Sequence, residues 1–128
     1  MKNKILLDSH VLLWLLKEPG FIGKQAAQAI RQAEVVYVSA ASVWELHLKR
    51  YRGKLPGMPA ITLHELERAG LTPLSVTCTH TEAVLTTPIP HKDPFDQLLL
   101  AQARVENAIL LTSDRHLLTA QDTFDAQL

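Results

Sequence analysis

Four acidic residues stand where apolar segments of the sequence begin or end, and acids in such positions can meet in one site. Carboxylates that share a pocket cannot all stay ionised unless a cation offsets their charge. The chain has 128 residues and a single cysteine, which excludes a cysteine-built zinc site. Oxygen ligands favour Mg²⁺ or Mn²⁺ instead. The predicted ligands of such a metal site are Asp8, Glu45, Asp96 and Asp114.

The stretch "HKDPFDQLLLAQA", residues 91–103, contains two aspartates that we expect to play different roles. Asp93 precedes a proline at the start of a helical pattern, which is typical of a helix N-cap. Asp96 heads the apolar stripe of the same helix, so its carboxylate is expected to point towards the core. An uncompensated charge there costs on the order of several kcal/mol, so something should offset it. The stripe continues at Leu99, Leu100 and Ala103.

Each of the other three acids also has an ordinary structural explanation. Asp8 and Asp114 precede helical patterns, where an aspartate can serve only as an N-cap. Glu45 can be a solvent-exposed helix acid, but it borders an apolar stripe, which favours a partly buried position. We expect this stripe to be the buried side of its helix. It consists of Ala41, Trp44, Leu48 and Tyr51.

Short apolar segments and helical patterns alternate along the chain. Strands are predicted at 4–7, 35–38, 71–76 and 108–114. Helices are predicted at 9–17, 23–33, 39–51 and 60–70, then after a capping box of Thr79 and Glu82, and finally from about Asp93. This alternation predicts an α/β fold, a three-layer α/β/α sandwich with a short, mostly parallel central sheet. Ligands of such sheets bind beyond the carboxyl ends of the strands.

Length and composition predict one ordinary globular domain spanning residues 1–128. The formal net charge is zero, so no general attraction to a polyanion or a membrane is indicated, and any polyanion site must be local. The apolar N-terminal stretch is interrupted by Asp8 and His10, unlike a signal peptide or a membrane span. We therefore expect a cytoplasmic protein. Cys78 is expected to be a small buried hydrophobe.

The acids lie in motifs that resemble those of the PIN-domain ribonucleases, and among them the VapC-type toxins of bacterial toxin–antitoxin pairs. The likeness covers nearly the whole chain. "LLDSHVLLWLL" resembles the first motif of that family, "SAASVWELHLKRYRGKL" the second, "HKDPFDQLLLAQA" the third and "LLTSD" the fourth. The departure is Gln97, where the subgroup commonly has arginine. The resemblance implies that the metal ligands and catalytic acids are Asp8, Glu45, Asp96 and Asp114.

The resemblance implies metal-dependent hydrolysis of RNA that leaves 5′-phosphate and 3′-hydroxyl ends. A water activated by Mg²⁺ or Mn²⁺ would attack the phosphate, so no protein nucleophile is needed. The implied partner is a cognate antitoxin protein, and we also expect a homodimer. Other polar residues of the motifs are expected to support the ligands. These are Ser9, Asp93, Thr112, Ser113 and His91.

Two segments are candidates for contacts with these larger partners. The basic run at 49–54, "KRYRGK", follows the helix of Glu45 and would contact RNA, although a solvated face explains such a run equally well. The helix at 9–17 is apolar nearly all round, so its surplus surface is expected to bind a second copy or an antitoxin helix, joined by Val43 and Leu46. The predicted RNA-binding residues are Lys49, Arg50, Arg52 and Lys54.

Two other classes of function remain open from the sequence. A receiver-like phosphoryl-transfer domain would share the sheet and the Mg²⁺ site, but it needs paired acids after its first strand and a late lysine. Here the first strand ends in Asp8, Ser9 and His10, and no lysine follows Asp114. A catalytically inactive module that binds metal or RNA in an acidic pocket is the other alternative. Whether the protein cleaves RNA distinguishes it from a nuclease.

Overall fold

A single parallel sheet organises the computed structural model, which describes residues 3–58, 60–88 and 93–128. The order of the strands is β3-β2-β1-β4-β5, and each neighbouring pair is parallel. The central strand β1 therefore ends beside the carboxyl ends of β2 and β4. The strands are β1 (Lys4–Leu7), β2 (Val35–Ser39), β3 (Thr72–Leu74), β4 (Ile109–Thr112) and β5 (Thr123–Asp125).

Helices cover both faces of this sheet. Because successive side chains of a strand point to opposite faces, Leu7 of β1 packs in one buried cluster with Val11 and Leu46, whereas Leu6 packs in a second cluster with Leu99. The two clusters form the cores of a three-layer α/β/α sandwich, which confirms the predicted fold. The α-helices are α1 (Ser9–Lys17), α2 (Lys24–Gln32), α3 (Ala40–Tyr51), α4 (Leu63–Arg68), α5 (Cys78–Ala83) and α6 (Pro94–Val105).

The predicted capping box of Thr79 and Glu82 is wrong. Thr77 caps α5 instead: its hydroxyl accepts a hydrogen bond from the His80 amide at 3.3 Å, and Nδ1 of His80 accepts one from the Thr77 amide at 3.0 Å. Thr79 lies inside the helix, where its side chain cannot reach the first free amides. Cys78, expected to be buried, is exposed at the start of this helix.

Several predicted boundaries are too wide, and one strand is absent from the prediction. The predicted segments at 60–70 and 71–76 form shorter elements, Leu63–Arg68 and Thr72–Leu74. The strand predicted to reach residue 114 ends at Thr112. β5 has too few apolar residues to show a periodic pattern, and it joins the sheet through backbone pairing with β4.

The orientation predicted for α3 is also wrong. Trp44 and Tyr51, expected on the buried side, are 60% and 89% exposed. Leu46, expected on a partner surface, is fully buried in the core, and Val43 packs against that core. The helix starts directly from β2 at its cap residue Ser39. This junction, which the apolar pattern does not encode, decides which side faces the sheet.

The surface of α1 is better covered than its composition indicates. Val11 and Leu12 are fully buried, and the apolar residues at 13–16 are partly buried against the same core. Trp14 stacks on Phe21 with ring centroids 5.7 Å apart. Within the described ranges, no helix combines the length and the apolar character needed to cross a membrane.

Candidate functional site

Asp8 lies at the end of the central strand and is both a helix cap and a buried acid. Its Oδ1 accepts a hydrogen bond from the amide of Val11 at 3.0 Å, which caps α1. Its Oδ2 accepts a hydrogen bond from the hydroxyl of Thr112, the last residue of β4. Only 6% of Asp8 is exposed. Burial raises the pKa of this carboxyl above its usual range, although both hydrogen bonds oppose the rise.

Glu45 reaches the same edge of the sheet from the second turn of α3, because that helix begins where β2 ends. Its Oε1 accepts a hydrogen bond from the hydroxyl of Ser9, the first residue of α1. Its Oε2 lies 3.7 Å from Nζ of Lys49, one turn further along α3. Glu45 is therefore held by a hydroxyl on one side and by a cation on the other.

The two aspartates at the start of α6 take the roles predicted for them in the helix. Oδ1 of Asp93 accepts hydrogen bonds from the amides of Phe95 at 2.9 Å and Asp96 at 3.3 Å, so Asp93 is the N-cap. Asp96 is partly buried at the head of the stripe that faces the core. That stripe is buried as predicted at Leu99, Leu100 and Ala103.

Asp114 lies two residues after Thr112, the last residue of β4. Its amide donates a hydrogen bond to Oγ1 of Thr112 at 3.0 Å. Its Oδ1 accepts one from the amide of His116 at 2.8 Å. The Thr112 hydroxyl therefore links Asp8 to Asp114, and the partly buried Ser113 lies between the two anchor points.

The electrostatics of Asp96 show that the predicted acids are brought together. Its pKa is raised from 3.8 to about 7, first by burial and then by the charges of four other carboxylates. Among the residues that the structure describes, no three carboxylate, imidazole or thiol groups stand close enough to bind one metal ion together. The acids therefore share one electrostatic field without converging on one point. The four neighbouring carboxylates are Asp93, Asp114, Asp8 and Glu45.

The predicted RNA-binding residues are spread over the end of α3 and the following loop. Lys49 faces Glu45, an arrangement that the spacing of four residues within one helix could have indicated. Nε of Arg50 donates a hydrogen bond to the carbonyl of Met58 at 2.9 Å and so ties the loop to the helix. Arg52 and Lys54 are exposed. His91, predicted to support the metal ligands, lies outside the described residues.

The chain as a whole is similar to known proteins. The model of the PIN domain family matches residues 5–122. Ribonuclease VapC22 of Mycobacterium tuberculosis is 34% identical to this chain over an alignment of 119 positions, and the match covers 88% of each protein.

Solved structures agree on the fold at low sequence identity. A toxin–antitoxin complex from Klebsiella pneumoniae contains a chain with a TM-score of 0.62 and 15% identity, covering 95% of this chain and 97% of that one. VapBC2 from Rickettsia felis, bound to a DNA fragment from its promoter, gives a TM-score of 0.64 and 11% identity, covering 95% and 99%.

The raised pKa of Asp96 predicts how the metal-free protein responds to pH. Native Asp96 keeps its proton up to about pH 7, whereas the unfolded chain releases it near 3.8. The contribution of Asp96 to stability is therefore full below pH 3.8 and is lost as the pH rises through 7. Asp96→Asn should raise the free energy of unfolding at pH 8 by on the order of 2 kcal/mol, after allowance for solvent screening, and flatten this pH dependence.

Urea unfolding in EDTA between pH 4 and pH 8 measures this effect. Glu65→Gln is the matched control, because Glu65 is exposed on α4 and should leave the profile unchanged. If Asp96→Asn has the same pH profile as the wild type, Asp96 does not carry the repulsion.

Two substitutions at Asp93 separate its cap from its charge. Asp93→Ala should cost about 1 kcal/mol, because two amides at the start of α6 lose their acceptor. Asp93→Ser keeps an N-cap oxygen and removes only the charge, so it should lie close to the wild type in unfolding experiments at pH 5. Equal losses in both variants at that pH would show that the cap is not what Asp93 contributes.

Proposed function

The chain belongs to the PIN-domain family, and on that premise we propose that it is a VapC-type ribonuclease toxin that hydrolyses RNA with the help of a divalent metal ion. The observation that carries this proposal is the electrostatic state of Asp96, whose pKa is raised to about 7 by burial and by four surrounding carboxylates. A structural protein gains nothing from such repulsion. A bound divalent cation would relieve it.

The chemistry of the donor groups fits Mg²⁺ or Mn²⁺. The side chains at the site offer carboxylate and hydroxyl oxygens, which hard cations prefer. Since the carboxylates do not converge in the described residues, binding requires rotations of the acidic side chains towards one another. Binding must also displace the proton of Asp96. The proposed ligands are Asp8, Glu45, Asp96 and Asp114.

A bound divalent cation would lower the pKa of a water molecule and offset the charge that develops on the attacked phosphate. The residues of the chain prepare the site for this chemistry. Thr112 holds Asp8 and the backbone of Asp114 in fixed relation, and Ser9 orients Glu45. These are the positioning roles that we propose for both hydroxyls and for the adjacent Ser113. The cap at Asp93 fixes the first turn of α6 and adds negative charge beside Asp96.

RNA would approach over the end of α3. Arg52 and Lys54 are exposed there, and Lys49 lies at the boundary between this basic run and the acids. Arg50 holds the loop by its bond to Met58, which leaves the rest of its guanidinium for phosphate contacts. Gln97 lies next to Asp96 and offers no positive charge, so the basic run at 49–54 has to supply the attraction to phosphate.

The partners that we propose are a cognate antitoxin and a second copy of the chain. The partly buried apolar residues of α1, together with the exposed Phe21, provide an apolar surface of the kind that receives a partner helix. Leu46, which was expected to join this surface, is buried in the core and does not contribute to it. The receiver-like alternative loses its support, because the family match spans residues 5–122. Only a demonstration that the protein cleaves RNA would exclude an inactive binding module.

Metal binding should stabilise the protein by mass action. Mn²⁺ should raise the melting temperature of the wild type, and more at pH 8 than at pH 6, because the proton of Asp96 competes with the ion. Asp8→Asn, Glu45→Gln and Asp114→Asn should each reduce the shift and abolish Mn²⁺-dependent cleavage of total bacterial RNA. The exposed Glu65→Gln is the control for both measurements. If Mn²⁺ does not change the melting temperature of the wild type at pH 8, the proposed metal site is wrong.

The basic run should set the salt dependence of RNA binding. Replacing Arg52 and Lys54 with glutamine should lower the slope of log Kd against log salt concentration by ~0.7 per lost contact with single-stranded RNA. Arg50 is kept, because its bond to Met58 shapes the loop. Arg68→Gln, on the exposed side of α4, is the control. Fluorescence anisotropy in EDTA gives the slopes, and an unchanged slope in the double variant would make this run an ordinary solvated surface.

A further inference from the structure

An apolar groove lies between α3 and the start of α6, directly beside the acidic site. Its volume is about 650 Å³, within the range of ~300–1,000 Å³ that is common for ligand sites. One wall is the outer side of α3 and the other is the first turn of α6. Val76, itself partly exposed, lines it as well. The helix residues that line it include Trp44, Leu48, Arg52, Phe95 and Leu98.

The groove presents an open aromatic face. Trp44 is 60% exposed although its indole is among the largest apolar groups of the chain. The ring of Phe95 lies 5.7 Å from the indole, centroid to centroid, at an angle of 57°. A base inserted between two stacked rings needs a separation of ~7 Å between those rings, which is twice a van der Waals contact. The separation of Trp44 and Phe95 is shorter, so no base fits between them. Phe95 instead packs against Trp44, and the largely exposed indole keeps surface that a ligand can cover.

The charges around the groove match one class of ligand. Trp44 immediately precedes Glu45, and Phe95 immediately precedes Asp96, so the aromatic pair borders the acids on both helices. Arg52 lines the groove on α3, two turns beyond Trp44 and at the start of the exposed basic loop. A ligand that fills the groove therefore meets an aromatic face and a guanidinium, and the acids that would hold the metal follow Trp44 and Phe95 directly in the two helices. A flat base joined to phosphates fits all three, whereas an apolar peptide helix would bury the guanidinium without a partner.

We propose that this groove binds a nucleobase of single-stranded RNA, stacked on Trp44, next to the phosphate that is cleaved. Phe95 is the positioning residue that fixes the plane of the indole, and Arg52 holds the phosphate that follows the base. This inference rests on the proposed ribonuclease function and assigns it a subsite for the substrate. Stacking on an aromatic ring accepts any base, so the subsite adds affinity and holds the strand in place without requiring one sequence.

Two substitutions of Trp44 test the stacking. Trp44→Leu keeps an apolar side chain but has no aromatic face, and Trp44→Tyr keeps the face. With hexaadenylate in EDTA, where no cleavage occurs, Trp44→Leu should raise the Kd on the order of tenfold, and Trp44→Tyr should stay within about threefold of the wild type. The salt slope should be unchanged in both, because no phosphate contact is removed. Leu63→Ala, an exposed apolar residue on α4, is the control.

A direct readout comes from the fluorescence of Trp44 itself. Trp14→Phe leaves Trp44 as the sole tryptophan of the chain. Hexaadenylate should quench its emission, and a ribose-phosphate chain of the same length without bases should not. Quenching of equal size by the chain without bases would overturn stacking.

The remaining outcomes separate this inference from the proposed function. If the wild type cleaves total RNA with Mn²⁺ while Trp44→Leu binds hexaadenylate as well as the wild type, the subsite is wrong and the nuclease stands. If Trp44→Leu instead changes the oligomeric state in size-exclusion chromatography at unchanged RNA affinity, the groove joins two copies of the chain, and the inference is again overturned. If the wild type neither binds nor cleaves RNA, both the base subsite and the proposed ribonuclease function are wrong.

Discussion

Repulsion between carboxylates at one edge of the sheet is the constraint to which the rest of the site responds. Asp96 is both partly buried and surrounded by four other acids, and together these raise its pKa to about 7. The hydroxyls of Ser9 and Thr112 hold two of those acids in place. Part of the stability of the fold is given up here for a high negative potential, as is common where side chains are arranged for chemistry.

The parallel sheet makes this concentration of charge achievable with short elements. Strands β1, β2 and β4 end side by side, and each is followed within a few residues by an acid or by a helix that carries one. Asp8 serves twice, since the same carboxylate caps α1 and faces the site. At α6 the two tasks are divided between Asp93 and Asp96. Because Asp93 is the N-cap, Asp96 does not have to cap its own helix.

Local patterns placed Asp8 at the end of β1 and Asp93 and Asp96 at the start of α6, because capping and strand-end signals are local. Capping rules placed Asp93, and the stripe at Leu99 and Leu100 placed Asp96 on the inner side of α6. The same reasoning failed for α3, because that helix is apolar on more than one side. The apolar pattern indicates that burial is favourable for both Trp44 and Leu46. It does not show that Leu46 goes into the core while Trp44 lines a groove. β5 was missed because backbone pairing leaves no hydrophobic pattern.

Helix α3 connects the separate parts of the proposed substrate path. Glu45 points to the acidic edge, Trp44 lines the groove, and the C-terminal end of the helix leads into the basic loop. Neighbouring residues of a helix differ in direction by about 100°, so Glu45 and Trp44 necessarily serve adjacent surfaces of the same helix. Lys49 lies between the acids and the basic loop and pairs with Glu45. On the proposed substrate path, this positive charge offsets part of the negative potential of the acids on the side from which a polyanion would approach.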